Sequence, residues 1–115
     1  PVYNKRGILL LPKVIVLNPK EGIEGGLKFG IGTDGIHQGL AQEAKYISQL
    51  GASNKNVLAG ITVNAARLCG VSEKTGAIEK GLAADLVILD GNPMNDIDAL
   101  KKVAAVYQDG KKIEI

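Results

Sequence analysis

The chain has 115 residues, a net charge of +2 and 45% hydrophobic residues, enough for one small domain or a piece of a larger one. Its basic residues are scattered rather than striped, which argues against a nucleic-acid partner. No stretch approaches the ~20 apolar residues of a membrane span, and no signal-peptide pattern is present. With no Trp and little aromatic content, the core has to be built from Leu, Ile, Val and Ala.

The elements follow in chain order. Residues 7–17 hold two short apolar runs broken by Pro12. Proline lacks a ladder N–H, so they read as two short strands or one interrupted edge strand. Asn18-Pro19 marks a turn, and the Gly- and Glu-rich residues 20–26 read as loop. Leu27-Lys28-Phe29-Gly30-Ile31-Gly32-Thr33-Asp34-Gly35 reads as a short buried strand ending in a carboxylate, then a loop. A carboxylate at the mouth of a buried strand is costly unless a cation meets it. In α/β enzymes that mouth is also where catalytic groups sit.

Residues 39–50 predict an amphipathic helix with Leu40, Ala44, Ile47 and Leu50 on one face and Gly51 as its terminating glycine. A second helix is expected from Asn54 to Cys69, capped by Ser53, striped by Val57, Ile61, Ala65 and Leu68, and closed by Gly70. Gly60 within it costs about 1 kcal/mol against Ala, which a close approach by another backbone would explain. Cys69 is the single cysteine. It excludes an internal disulfide, fits a reducing, cytoplasmic compartment, and reads as a small buried hydrophobe rather than a ligand or nucleophile.

Beyond Gly70 the period changes. Gly76-Ala77-Ile78 and Ala84–Leu89 predict strands joined through a turn at Lys80-Gly81, and Asp90-Gly91-Asn92-Pro93 predicts a further turn. A short helical stretch over Asp96–Lys101 precedes a hairpin, Val103–Gln108 and Lys111–Ile115. Its two-residue Asp109-Gly110 loop sets Val106 opposite Ile113 and Ala104 opposite Ile115. Lys101-Lys102 and Lys111-Lys112 read as solvated surface.

Gly30, Gly32 and Gly35 satisfy G-x-G-x-x-G, so a dinucleotide-binding turn at Gly30–Gly35 is a remote alternative. Against it, Asp34 would sit in the phosphate cradle, and the next helix begins too late to offer its N-terminus. The strand that should follow is replaced by the helix at 54–69.

The order of motifs gives the other reading. Gly32-Thr33-Asp34, then Thr62-Val63-Asn64-Ala65-Ala66-Arg67, then the run from Gly76 to Pro93, resemble the C-terminal portion of the metal-dependent amidohydrolases. The imidazolonepropionase-like and Xaa-Pro dipeptidase-like branch is the most similar. This resemblance implies an α/β fold: the C-terminal fragment of a TIM barrel, namely its last strand and following helices, plus part of a small β-sandwich domain. Residues 1–26 match poorly, 27–70 correspond to the strand and helices, and 71–115 to the β-sandwich part. It implies hydrolysis of C–N bonds in small amides, cyclic amides or dipeptides by a metal-activated water, with a divalent metal, zinc above all, as cofactor.

By the same resemblance Asp34 is both a metal ligand and the catalytic proton acceptor; a turn-forming or helix-capping aspartate is the plainer alternative. His37 is an exposed loop histidine or a substrate contact. Glu43 reads as structural, Thr62 and Asn64 as residues that fix their helix against the barrel by hydrogen bonds, and Asp85 as an acceptor for backbone N–H groups at the start of its strand. The family's remaining ligands, mostly histidines, lie on strands before Asp34, whereas this chain has one His. A chain beginning at Pro1 rather than Met is thus expected to be cut from something longer and inactive alone. Its open edges and apolar faces suggest an oligomer or association with the missing barrel. A non-catalytic fragment or interaction module is the alternative.

Overall fold

The computed structural model describes residues 19–33 and 39–115. The apolar runs at 7–17, Asn18, Asp34 and His37 lie outside them. Four helices come first: α1 (Pro19–Glu24), α2 (Leu40–Gln49), α3 (Asn54–Ile61) and α4 (Val63–Leu68). Strand β1 (Leu86–Leu89), a 3₁₀ helix (Ile97–Lys101), β2 (Val103–Gln108) and β3 (Lys111–Ile113) follow.

Glycines end three of the helices in the same way. After α2, Gly51 at φ 108° lets its N–H reach Ser48 O at 3.0 Å while Ala52 N–H reaches Ile47 O at 3.4 Å. This is a Schellman closure, which hands the last carbonyls of a helix to the chain beyond it. Gly70 repeats it after α4, with bonds to Arg67 O and, through Val71, to Ala66 O. Gly26 repeats it after α1, with bonds to Ile23 O and, through Leu27, to Gly22 O. Residues 20–26, expected as loop, therefore contain a helix. Pro19 at its first position is preorganised for that start, and Gly26 supplies its stop.

The single helix expected over 54–69 is two. Ser53 caps α3 as anticipated, its Oγ accepting from Asn56 N–H at 3.2 Å. The run then breaks at Thr62, whose φ of −126° and ψ of −97° leave helical space. Leu68, expected on the buried stripe, is 73% exposed, and Cys69 is exposed rather than buried. Both sit on the α4 end, away from the small core.

Residues 27–33, expected as a strand, form neither strand nor helix. A buried strand needs neighbours to take its ladder groups, and no described strand lies alongside. Gly76–Ile78 is not a strand either. Gly76 turns the chain at φ 101°, against Ala66, and Ile78 is 89% exposed.

The three strands pair in the order β1-β2-β3, all antiparallel. Val106 stands opposite Ile113, the register that the Asp109-Gly110 loop dictates. The two loop residues have φ of 49° and 78°, a type I′ turn whose twist matches the strands. Asn92 anchors the turn before the 3₁₀ helix, its Oδ1 accepting from Met94 N–H at 3.0 Å.

The core lies on the helical side. Ala44, Ala52, Val57 and Ile97 form it, with Ile23, Phe29, Ile31, Ile47, Leu58 and Leu100 packed around them. Val57 is wholly buried. Removing its two methyls deletes about 1.6 kcal/mol of burial and leaves a small cavity. Val57→Ala should lower unfolding free energy by about 2 kcal/mol in urea titration with an unchanged slope.

Candidate functional site

The approach to Asp34 is built by residues 27–33 lying on the α3–α4 pair. Ile31 N–H donates to Gly60 O at 3.0 Å. Gly60 has no side chain because there is no room for one: a Cβ there would stand 2.9 Å from Phe29 Cε2 and 3.3 Å from Ile31 Cγ1. The close approach expected at Gly60 is therefore made by Phe29 and Ile31, side chains and main chain together. Gly30 is equally close, since a Cβ would meet Leu68 Cδ1 at 2.6 Å and Ala65 Cα at 3.6 Å. Thr33, half-buried, is the last described residue before Asp34. Of the two site residues read from the sequence, Asp34 and His37 both lie beyond this limit.

Helix α2 begins six residues after Asp34 and is tied to the 3₁₀ helix. Lys45 Nζ donates to both carboxylate oxygens of Asp98, at 3.0 and 2.8 Å. Lys101 stands 3.7 Å from Asp98 and donates to Gln42 Oε1 at 3.2 Å. Lys101, expected as solvated surface, is thus part of a cross-link. The hydrogen bond and charge of Lys45 hold the Asp98 carboxyl below its ordinary range, and Asp98 raises Lys45 in return.

A second carboxylate network anchors the sheet. Asp85 Oδ1 accepts from Asp109 N–H at 2.9 Å and Oδ2 from Thr75 Oγ1 at 2.8 Å. These bonds, that from Asp109 N–H foremost, lower its carboxyl. The role read for Asp85 holds in kind: it accepts a backbone N–H, though that of the hairpin turn. Thr62, expected to fix its helix against a barrel, instead donates through Oγ1 to Leu58 O of α3 at 2.7 Å.

Between α2, α3, α4 and β1 runs an apolar groove of about 680 Å³ that Leu40, Ile61, Ala65, Cys69, Ile78 and Val87 help to line. Among the described residues no three His, Cys, Asp or Glu gather where they could hold a metal ion. The described part therefore does not by itself fit a divalent metal. No described helix is long and apolar enough to cross a membrane.

Comparison with known proteins decides what this arrangement belongs to. The profile of the Amidohydrolase family matches residues 14–113. The chain is a member of that family. A 5′-deoxyadenosine deaminase of Methanopyrus kandleri is 39% identical over 112 residues, covering 79% of this chain and 26% of the relative. A Xaa-Pro dipeptidase solved with bound methionine in its active site superposes with a TM-score of 0.79 at 32% identity. It covers 84% of this chain and 25% of the dipeptidase. An amidohydrolase from Thermotoga maritima gives 0.69 at 27% identity, covering 84% and 25%. The chain thus spans about a quarter of the length of these relatives. Its likeness places it in the metal-dependent amidohydrolase superfamily, related to the Xaa-Pro dipeptidase-like branch. The observed architecture is an α/β piece of that fold, a small open sheet beside helices, with no barrel closure among the described residues. The dinucleotide-turn reading falls with this assignment.

The Lys45–Asp98 cross-link makes stability pH-dependent in a defined sense. A carboxyl lowered in the folded state stabilises fully above its unfolded value and less as pH falls through the folded value. Wild-type thermal midpoints should therefore fall as pH drops below about 4, and Asp98→Asn should flatten part of that fall while lowering the midpoint at neutral pH.

Proposed function

We propose that the chain is the C-terminal portion of a metal-dependent amidohydrolase that cleaves C–N bonds in small amides, cyclic amides or dipeptides. In this reading residues 27–70 supply the last barrel strand and its helices, and 71–115 part of the small β-sandwich domain. The carrying observation is that a family match over residues 14–113 contains Gly32-Thr33-Asp34, next in sequence to Phe29–Ile31, which are seated on α3 and α4. The relatives agree on the bond if not on the substrate. One is named for a dipeptide and one for the deamination of 5′-deoxyadenosine, both reactions at carbon–nitrogen bonds.

Asp34 is the residue assigned to the chemistry, as metal ligand and proton acceptor, with His37 touching substrate. Asp34 would be one ligand of a divalent metal, zinc by family, which would lower the pKa of a bound water to about 7. A carboxylate beside that water is suited to take its proton. No described residue supplies a further ligand, and His37 is the only histidine, so the remaining ligands belong to other parts of the enzyme. The 115 residues alone are then inactive and work in association with the rest of the barrel. The apolar groove and the sheet edges left open among the described residues favour such an association.

In the intact enzyme, Asp34→Ala should lower turnover of a Xaa-Pro dipeptide or 5′-deoxyadenosine by about 10³-fold or more, with the thermal midpoint retained. Turnover close to wild type in the variant would overturn the assignment.

A further inference from the structure

We infer that the break at Thr62 is a positioning device, which turns the end of α3 into a seat for the segment leading to Asp34. The final four carbonyls of a helix lack intrahelical partners. Here three of them are satisfied by identifiable donors. Leu58 O accepts from Thr62 Oγ1 at 2.7 Å and Ala59 O from Thr62 N–H at 3.3 Å. Gly60 O is left for the chain outside the helices, and Ile31 N–H takes it at 3.0 Å. In an unbroken helix Gly60 O would be occupied by the N–H four residues on.

The two glycines complete the seat. The absence of a side chain at Gly60 admits Phe29 and Ile31, and its absence at Gly30 admits the face of α4 formed by Ala65 and Leu68. Three consecutive residues, Phe29, Gly30 and Ile31, are therefore fixed by one hydrogen bond and two close approaches. Thr33 and Asp34 follow Ile31, the last residue of that anchorage, by two and three positions in the chain. Thr62, Gly60 and Gly30 act on Asp34 only through this segment and touch no substrate. The inference rests on reading Asp34 as the site carboxylate.

Gly60→Ala separates seating from stability. Alanine favours a helix over glycine, so α3 should persist, yet its Cβ would push Phe29 and Ile31 off the seat. Two readouts on the full chain apply: amide hydrogen exchange at Ile31, and labelling of the Asp34 carboxyl by carbodiimide and glycine ethyl ester, located by mass spectrometry. In Gly60→Ala, Ile31 exchange should rise by about tenfold and Asp34 labelling should change by about threefold or more, while Asp85 and Asp98 label as in wild type. If this variant fails to fold, the pair Thr62→Val and Thr62→Ser decides. Valine removes the hydroxyl at constant shape and should reproduce both changes, whereas serine restores it and should behave as wild type.

Unchanged Ile31 exchange in Gly60→Ala and Thr62→Val would overturn the inference. So would faster exchange with Asp34 labelling unaltered, which would leave the seat a purely structural contact. Failure of the catalytic reading itself would show differently, as retained turnover in Asp34→Ala with the exchange and labelling results standing.

Discussion

A main-chain carbonyl that its own helix leaves unpaired organises this chain more than any side chain does. Gly60 O is available because α3 stops at Ile61, and α3 stops because Thr62 leaves helical space. Desolvated main-chain groups have to be paired. The bond from Ile31 satisfies a helix end and a strandless segment at once. Phe29 and Ile31 then reach the core formed by Ala44, Ala52, Val57 and Ile97. The same contact that closes a helix therefore joins residues 27–33 to the buried cluster around Val57.

The β-region depends on a different economy. Its sheet is narrow and its strands are largely exposed, with Val87 56% exposed and Ile88 46%. Burial contributes little there, so directed polar contacts carry more of the organisation. Asp85 gathers the loop through Thr75 and the hairpin turn through Asp109. Lys45 and Asp98 bind the 3₁₀ helix back to α2. Each is a charge-assisted bond between segments distant in sequence, so each sets geometry even where exposure keeps its energy small.

What was legible in the sequence was what local chemistry decides. Ser53, Gly51 and Gly70 announce helix ends because a cap or a left-handed residue acts within a turn of its position. Asp109-Gly110 fixes the hairpin register for the same reason. The α1 helix was missed although Pro19 and Gly26 bracket it, because its short sequence has too few apolar residues to show a period. The break at Thr62 was hidden by the apolar pattern running through it from Val57 to Leu68. Residues 27–33 read as a strand because their composition suits one, but strand character is a relation between neighbours, and none is present among the described residues. At the site, the importance of Gly60 was legible as an anomaly in a helix. Asp34 and His37 were legible only from motif order, and they lie outside the residues described.

The type I′ turn at Asp109-Gly110 has a consequence for how long the molecule stays chemically intact. Asp-Gly pairs age when the glycine nitrogen attacks the aspartate side-chain carbonyl, closing a succinimide that reopens largely to isoaspartate. Here Gly110 N–H is committed to Ala84 O at 3.0 Å, and Asp109 N–H is held by Asp85. The attacking nitrogen is engaged and the turn dihedrals are pinned on both sides, so the ring-closing geometry is reached only when the turn opens. The bonds that tie the hairpin turn to Ala84 and Asp85 also slow the covalent ageing of the Asp109-Gly110 pair.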